Sequence, residues 1–448
     1  MSGPYKFPPG LQHNLLFYMF NRFRPGDPIT FFQHLADTYG SIAHYRLGPE
    51  NIIFINDPEL IREVLITQHT NFVKERTQDR MKILVGEGLI TSSGEYHLRQ
   101  RRLAQPAFHR ARIDTYAQTM VERAIRLRDT WHAGETRDVA IEMMHLALSI
   151  VGKTLFDSDV ESEVEEIAAE VNAVMRLYNF LVALPRLERF LALPIPGLLR
   201  FRLARARLDE TLFRIIEDHR AGNRDRGDLL SMLLAARYDD GSGMTDQQLR
   251  DEVMTIFLAG YETTANALTW TWYLLSQSPA AEQRMHQQIE HALGQRPATI
   301  ADVPQLRYTR MVAAESMRLY PPAWAMGRRA LRDFPLGDYY LPARTSVFMS
   351  QYIMQRNPKY FPDPLRFDPE RFSADAESSR PRFAYFPFGG GARQCIGESF
   401  AWMELALVLA TIAQRWQLRL VAGHPVAPQP LITLRPRYGM KMTVEERT

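Results

Sequence analysis

Cys395 is the only cysteine in a chain of 448 residues. Since the chain has no second thiol, no intramolecular disulfide can form, and the residue is either an inert buried side chain or a chemically used one. The residues around Cys395 favour a chemical role over an inert one. The run Gly389-Gly390-Gly391 permits a tight turn and a close approach of the backbone to a flat or bulky group. The sequence therefore predicts a thiol presented by a glycine-rich loop.

An apolar segment follows this loop. Residues 400–412 have helical character and few charges, which predicts a buried helix. Cys395 would then precede a helix N-terminus, where exposed N–H groups and the positive end of the helix dipole favour the thiolate over the thiol. Arg393 adds a cation two residues away. A thiolate in this setting suits a soft metal or a nucleophilic role.

Five residues around the cysteine follow the spacing F-x-x-G-x-R-x-C-x-G, and they are Phe388, Gly391, Arg393, Cys395 and Gly397. The pattern resembles, without mismatch, the haem-ligand loop of the cytochrome P450 family, the haem-thiolate monooxygenases. The resemblance implies that Cys395 ligates the iron of haem b and that Phe388 and Gly389 belong to the cofactor site. A cysteine thiolate in this position donates electron density that favours O–O cleavage.

The composition is that of an ordinary globular protein, with 46% hydrophobic and 23% charged residues. The net charge of +3 is too small to indicate nucleic-acid binding. The first ten residues lack the pattern of a signal peptide, and no apolar run is long enough for a transmembrane anchor. We therefore expect a cytoplasmic protein that resembles the soluble bacterial members of the family.

Short strands are predicted near both ends of the chain and helices through residues 95–330. The predicted strand pairs are 42–47 with 52–55, 339–341 with 345–349, and 418–421 with 441–444. Asp57 is a predicted helix cap, with Pro58 at the first helical position. No repeat or break in composition divides the chain. We expect residues 1–448 to form a single, mainly α domain with a minor β portion, the cytochrome P450 fold that the resemblance implies.

Residues 178–199 are apolar and contain three prolines, which indicates two helices joined by an irregular loop. The resemblance implies a lid over the substrate channel here, and ordinary core remains the alternative. Five arginines crowd another short segment, and they are Arg99, Arg101, Arg102, Arg110 and Arg112. That basic face suits either an acidic partner protein or solvent.

A long helix is predicted after Thr245, because Thr245 and Gln248 form a capping box. The helical pattern continues to about residue 278, where Pro279 stops it. Such a helix, roughly 50 Å long at 1.5 Å per residue, must cross the interior of the domain. The resemblance places this central helix across the haem.

The middle of this helix carries the run Ala259-Gly260-Tyr261-Glu262-Thr263-Thr264. The run resembles the family's oxygen-binding groove, which implies that Ala259 and Gly260 lie beside the cofactor. Splitting O–O needs protons, and the resemblance implies that Thr263 holds a water while Glu262 relays protons. A packing glycine with chance polar neighbours remains the alternative.

Two further segments resemble structural parts of the family. Glu315 and Arg318 lie three residues apart on one predicted helix face, followed by Leu319-Tyr320-Pro321-Pro322. Residues 367–372 resemble the companion segment. The resemblance implies a Glu315–Arg318–Arg371 network behind the haem loop, which we assign to architecture rather than to chemistry.

The two haem propionates need cations or hydrogen-bond donors. Arg393, Arg328 and Arg101 are the candidates by resemblance. Position 97 departs from the family pattern W-x-x-x-R, since it is His rather than Trp. His97 retains a nitrogen able to donate to a propionate, and a surface role for it stays open.

The expected substrate pocket rests on the resemblance. Its candidate residues are mainly apolar, with segment 76–93 as a further wall, and they are Leu258, Ala259, Ala323, Trp324 and Met326. Such a lining suits a lipophilic substrate such as a fatty acid, a terpenoid or a steroid.

The sequence thus predicts a monooxygenase that hydroxylates C–H bonds with O2. Because no flavin or ferredoxin region is fused to the chain, we expect a separate donor protein of the ferredoxin or flavodoxin type, with its reductase, to supply the electrons. We also expect the protein to be a monomer. A peroxide-using or isomerising family member, a haem sensor or carrier, and a cysteine-nucleophile hydrolase are the alternatives. No H-E-x-x-H pair or Walker A run indicates a zinc or nucleotide site.

Overall fold

The computed structural model describes residues 5–11, 27–76, 80–157, 196–222 and 226–447. Most of the predicted lid segment, up to residue 195, lies outside these ranges. The chain forms two compact units. Unit 1 draws its described residues from Met1–Arg76, Met311–Cys395 and Ala427–Arg437. Unit 2 draws its described residues from Thr77–Arg310, Ile396–Val426 and Tyr438–Thr448.

Helices dominate the described part of the chain. They are α1 (Pro28–Tyr39), α2 (Pro58–Arg62), α3 (Lys82–Val85), α4 (Gly94–Ala104), α5 (Arg110–Asp129), α6 (Val139–Phe156), α7 (Pro196–Gly222), α8 (Leu229–Ala235), α9 (Asp246–Ser276), α10 (Pro279–Leu293), α11 (Arg307–Leu319), α12 (Gln351–Met354), α13 (Ala374–Ser378) and α14 (Glu398–Ala413). The expected fold class, mainly α with a minor β portion, is confirmed. The expectation of a single domain stays a prediction.

The strands are short. They are β1 (Ile42–Leu47), β2 (Glu50–Ile55), β3 (Phe72–Lys74), β4 (Thr136–Asp138), β5 (Met326–Ala330), β6 (Phe334–Leu336), β7 (Tyr339–Leu341), β8 (Ser346–Met349), β9 (Trp416–Leu420), β10 (Pro428–Pro430), β11 (Leu434–Pro436) and β12 (Lys441–Glu446). None of the helices in the described ranges is both long and apolar enough to cross a membrane.

Unit 1 is built on a five-stranded sheet in the order β1-β2-β8-β5-β3. The predicted hairpin of β1 and β2 is confirmed, with Ile42 opposite Ile55. Side chains of β2 alternate between two apolar clusters: Ile53 and Ile55 pack in one, Ile52 and Phe54 in the other. Because both faces are covered, β2 has the continuous apolar sequence of a buried strand.

The prediction that 339–341 pairs with 345–349 is wrong. Strand β7 pairs with β6, and β8 lies between β2 and β5 of the five-stranded sheet. Gly337 adopts a positive φ of 55° in the connection between β6 and β7, a conformation that glycine adopts without a steric cost. The sequence analysis missed β6 because Pro335 interrupts it, although proline is tolerated in edge strands.

Unit 2 packs its helices around α9, with α6 and α7 among its neighbours. The predicted capping box is present, since Thr245 accepts from the Gln248 N–H and Gln248 accepts from the Thr245 N–H. The helix ends at Ser276, and Pro279 opens α10 instead of closing α9. The predicted pairing of 418–421 with 441–444 is confirmed by β9 and β12.

Candidate active site

The loop that carries Cys395 is shaped by glycine. Gly391 has a φ of 69°, and a Cβ atom there would lie 2.2 Å from the carbonyl oxygen of Leu65. Only a residue without a side chain fits this approach. The Cys395 N–H donates to the Phe388 carbonyl over 3.0 Å and closes the loop. The backbone geometry thus fixes the position from which the sulfur is presented.

The Cys395 side chain is exposed. Gly397 is the N-cap of α14, so the cysteine lies three residues before the first residue of that helix, Glu398. Arg393 is half-buried in a short 3-10 turn two residues before the sulfur. The predicted buried helix is confirmed, since every residue of α14 from Met403 to Ala413 is buried.

Glu315 and Arg318 form a buried ion pair on α11. The Arg318 Nε and Nη2 atoms donate to Oε2 and Oε1 of Glu315 over 2.6 and 2.8 Å. The Arg371 Nε lies 3.5 Å from Oε1 of the same carboxylate. Burial raises the pKa of Glu315, while Arg318 and Arg371 counteract that rise. The structure therefore brings the three residues of the expected network together.

Gln355, which the sequence analysis missed, joins this network to the cysteine loop. Arg318 Nη1 donates to the Gln355 carbonyl over 2.9 Å, and the Gln355 side chain donates to the Met317 carbonyl. Its Oε1 accepts from the Phe386 N–H over 3.1 Å, just before the glycine run. A buried glutamine just after a short helix carries no sequence signal, because its partners are backbone groups far along the chain.

Arg328 is a buried cation on β5. Burial lowers its pKa to about 10. Among the described residues no carboxylate pairs with it, and Nη1 donates only to the Gly327 carbonyl, over 2.8 Å. A guanidinium kept from water without an anionic partner is costly. Arg328 therefore fits a group that brings its own negative charge.

The other two propionate candidates belong to unit 2. His97 and Arg101 lie four residues apart on α4 and hence on one face of it. The His97 side chain is buried and Arg101 is half-buried. An imidazole in this buried position is not a surface residue, which removes the surface role left open for His97.

The oxygen-activation run lies within α9, which stays helical through Gly260. The Thr263 hydroxyl donates to the Ala259 carbonyl over 2.7 Å, as expected for a threonine inside a helix. Glu262 is buried, while Ala259 and Thr263 are half-buried. A Cβ at Gly260 would lie 3.0 Å from a methyl group of Val151 on α6. Gly260 therefore also serves close helix packing.

The candidate pocket residues are divided between the units. Leu258 and Ala259 lie on α9 of unit 2, with Leu258 buried. In unit 1, the Met326 side chain approaches the cysteine loop, since a Cβ at Gly389 would lie 3.2 Å from its methyl group. Ala323 is half-buried in the same unit.

Trp324 has a structural use. Its indole N–H donates to the Leu431 carbonyl over 2.8 Å, and its ring packs against Phe32. The side chain packs against the apolar cluster that contains side chains of β1 and β2. These contacts stabilise the fold of unit 1.

Within segment 76–93, residues 84–89 are anchored to α9 by three consecutive charged residues that the sequence analysis did not connect with them. Arg250 donates to the Leu84 carbonyl over 2.9 Å. Asp251 accepts from the Glu87 N–H over 2.8 Å, and Glu252 accepts from the Leu89 N–H over 3.0 Å. A charged run inside an otherwise apolar helix was the signal that the sequence analysis left unused.

These observations fit a thiolate-ligated group with acidic side arms. The loop geometry fixes an exposed sulfur beside a helix N-terminus, where the thiolate is favoured. Arg328 supplies a buried cation that no carboxylate of the described ranges pairs with. Haem has two propionates and an iron that accepts a cysteine thiolate.

The family model described as "Cytochrome P450" matches residues 8–443. Cyclooctatin synthase of Streptomyces melanosporofaciens is 38% identical over 412 residues, covering 91% of this chain and 89% of that protein. Cyclooctat-9-en-7-ol 5-monooxygenase of the same species is 37% identical, with 88% and 86% covered. Pentalenene oxygenase of Streptomyces avermitilis is 33% identical, with 94% and 93% covered.

Solved structures give the same result. The crystal structure of the cytochrome P450DA heme domain superposes with a TM-score of 0.87 at 25% sequence identity, covering 98% of both chains. The chain belongs to the cytochrome P450 family, and it is a monooxygenase whose cofactor is haem ligated by a cysteine thiolate.

Proposed function

We propose that the protein hydroxylates C–H bonds of a terpenoid, rather than of a fatty acid or a steroid. The support comes from three relatives that match nearly the whole chain, two of which are named as oxygenases of an alkenol and of an alkene. Leu258 and Ala259 on α9 offer apolar contacts of the kind that such a molecule needs. Hydrocarbon skeletons bind mainly by burial of apolar surface.

Within this function Cys395 holds the iron. The haem supplies the activation of O2 and the insertion of one oxygen atom into a C–H bond. The observation that carries this assignment is the glycine-shaped loop closed by the Cys395 N–H and the Phe388 carbonyl. Phe388 and Gly389 lie in the same loop, and Arg393, Arg328, Arg101 and His97 are the proposed propionate partners.

Thr263 and Glu262 are the proposed proton-delivery residues. The Thr263 hydroxyl donates to the Ala259 carbonyl, and the hydroxyl oxygen of Thr263 can still accept a hydrogen bond from a water. We propose that the carboxyl group of Glu262, one residue earlier and buried, passes protons to that water. Ala259 is small and half-buried and lies one turn before Thr263 on the same helix, and Gly260 beside it packs against Val151 of α6.

We also propose that electrons come from a separate ferredoxin or flavodoxin type protein with its reductase. Three exposed arginines form a basic surface that suits an acidic donor, and they are Arg99 and Arg102 on α4 and Arg110 at the start of α5. The protein is proposed to work as a cytoplasmic monomer.

The decisive experiment on the ligand is the absorption spectrum of the reduced, carbon-monoxide-bound protein. Wild-type protein should show the strongly red-shifted band of thiolate-ligated haem, and Cys395→His should lose it while still binding haem. A red-shifted band that persists in Cys395→His would contradict the assignment.

The decisive experiment on the substrate is product analysis. The holoenzyme is incubated with O2, NADPH, and a ferredoxin with its reductase, in the presence of cyclic terpene hydrocarbons and alcohols, fatty acids or steroids. Hydroxylated products from the terpenes alone would support the proposal. Turnover with peroxide but never with the ferredoxin system would favour a peroxide-using enzyme instead.

A further inference from the structure

Glu252 and Thr255 lie three residues apart on α9, and therefore on one face of the helix. The same face continues one turn later to Leu258 and Ala259, the apolar residues assigned to the substrate. Both polar side chains are almost completely buried, with 1% and 2% of their surface exposed.

Each of the two side chains holds a polar atom that lacks a hydrogen-bond partner in the described ranges. Glu252 uses Oε2 to accept from the Leu89 N–H, which leaves Oε1 without a partner. The Thr255 hydroxyl likewise makes no hydrogen bond there. A buried polar atom left unpaired is costly, so two of them on one helix face indicate a polar occupant.

The described residues of segment 76–93, which faces this pair, donate to or accept from neither unpaired atom. A Cβ at Gly88 would lie 2.1 Å from the Thr255 hydroxyl oxygen, so only glycine fits there. The neighbouring Gly86 is equally constrained by Asp251. At these two positions the segment therefore offers the pair backbone and no side chain.

The chemistry of the pair matches a hydroxyl group. Burial raises the pKa of Glu252 to about 8, with Asp251 adding to the rise, so the carboxyl keeps its proton at neutral pH. Because Oε2 accepts from Leu89, the proton belongs on Oε1, which becomes a donor. Thr255 offers an oxygen that accepts. A hydroxyl can accept from Glu252 and donate to Thr255 at the same time.

We infer that Glu252 and Thr255 form a subsite that binds one hydroxyl group of the substrate, next to the apolar wall at Leu258 and Ala259. The inference rests on the proposed function, since it assigns a polar contact within the same substrate site. It narrows the substrate class to lipophilic molecules that already carry a hydroxyl group when they bind.

The test compares the binding of matched probes to the ferric holoenzyme. The pairs are adamantane with 1-adamantanol and cyclodecane with cyclodecanol. Dissociation constants come from the shift of the haem absorption band and from calorimetry. The ratio between the two constants of a pair cancels the apolar contribution that both molecules share.

Thr255→Val removes the hydroxyl while keeping the shape of the side chain. We expect the alcohol to lose about tenfold in affinity relative to its hydrocarbon, the size expected for one or two hydrogen bonds. Thr255→Ser and Glu252→Gln keep the hydrogen-bonding groups, and both should retain most of the wild-type ratio. Thr271→Val is the matched control, because the Thr271 hydroxyl donates to the Ala267 carbonyl elsewhere on α9.

An unchanged ratio in Thr255→Val would overturn the subsite while leaving the proposed function intact. The same holds for a crystal structure of the alcohol complex in which a water, and not the alcohol, bonds both side chains. Failure of every probe to bind would instead contradict the lipophilic substrate site, and the subsite with it.

Discussion

Arg318 and Glu315 are joined by two hydrogen bonds, of 2.6 and 2.8 Å, and neither side chain has any exposed surface. The pair lies on α11, but its remaining bonds lead elsewhere. Glu315 accepts from the Asp368 N–H, and Arg318 donates to the Pro364 carbonyl. Through Gln355 the network reaches Phe386, at the start of the cysteine loop.

Removing one member of this pair leaves an unpaired buried charge. We expect Arg318→Leu to lower the free energy of unfolding by about 3–5 kcal/mol, because the Glu315 carboxylate then lacks compensation. The haem content of the purified protein should fall as well, since the network supports the loop of Cys395. Urea unfolding and the ratio of haem to protein absorbance measure the two effects.

The exposed pair of Glu59 and Arg62 is the control for that prediction. It has the same i, i+3 spacing but lies on the surface of α2. We expect Arg62→Leu to change stability by less than about 1 kcal/mol and to leave the haem content unchanged. Equal effects of the two variants would show that burial of the α11 pair is unimportant.

The sequence supported predictions wherever a local rule decides the structure. The cap at Asp57, the capping box at Thr245 and the hairpin of β1 and β2 all depend on residues close in the chain. Pairing of β8 with β2 depends instead on segments about 300 residues apart, and no local pattern predicts that choice.

In the candidate active site as well, features that depend on nearby residues were predicted and features that depend on distant residues were not. The spacing around Cys395 identified the loop from sequence, and the positive φ of Gly391 explains one of its glycines. The sequence did not predict the roles of Gln355 or of the residues that anchor segment 76–93, because each of them bonds to backbone groups distant in sequence. Trp324 was placed in the pocket by resemblance, whereas its hydrogen bond to Leu431 is visible only in three dimensions.

Arg328 offers a test of the propionate contact. We expect Arg328→Leu to release haem to a haem-accepting protein about 10–100 times faster than wild type, since a hydrogen bond to a charged group contributes roughly 1.5–3 kcal/mol. Transfer is followed by the absorbance of the acceptor. Arg329→Leu is the matched control, because neighbouring residues of a strand point to opposite faces. Equal rates in the two variants would remove Arg328 from the cofactor site.

Glu404 makes stability depend on pH. It is fully buried in α14, and burial raises its pKa to about 8, which the nearby Thr264 hydroxyl counteracts only in part. From about pH 5 to pH 8 the folded protein keeps a proton that the unfolded chain loses, so stability falls as the pH rises. Each pH unit in this window costs up to about 1.4 kcal/mol.

Glu404→Gln removes this titration. We expect urea unfolding to show a shallower loss of stability between pH 5 and 8 in the variant than in wild type. Glu59→Gln, at an exposed carboxyl on α2, should keep the wild-type slope. A wild-type slope in Glu404→Gln would mean that the carboxyl ionises normally in the folded protein.

Thr263 provides the test of proton delivery. Thr263→Ala removes the hydroxyl proposed to hold the water, but it leaves the Cys395 loop and the apolar contacts untouched. Oxygen should therefore still be consumed, while a larger share of the electrons ends in hydrogen peroxide instead of hydroxylated product. We expect the yield of product per NADPH to fall by about tenfold or more, in line with the 10²–10⁴-fold that positioned proton transfer contributes.

The measurement pairs NADPH oxidation with product and peroxide yields. Thr271→Ala is the matched control, since the Thr271 hydroxyl also donates to the carbonyl four residues earlier on α9. Both variants lose the same kind of helix contact, so a loss of coupling confined to Thr263→Ala must come from the position of its hydroxyl. Unchanged coupling in Thr263→Ala would move proton delivery to other residues, whereas equal uncoupling in both variants would trace the effect to the helix itself.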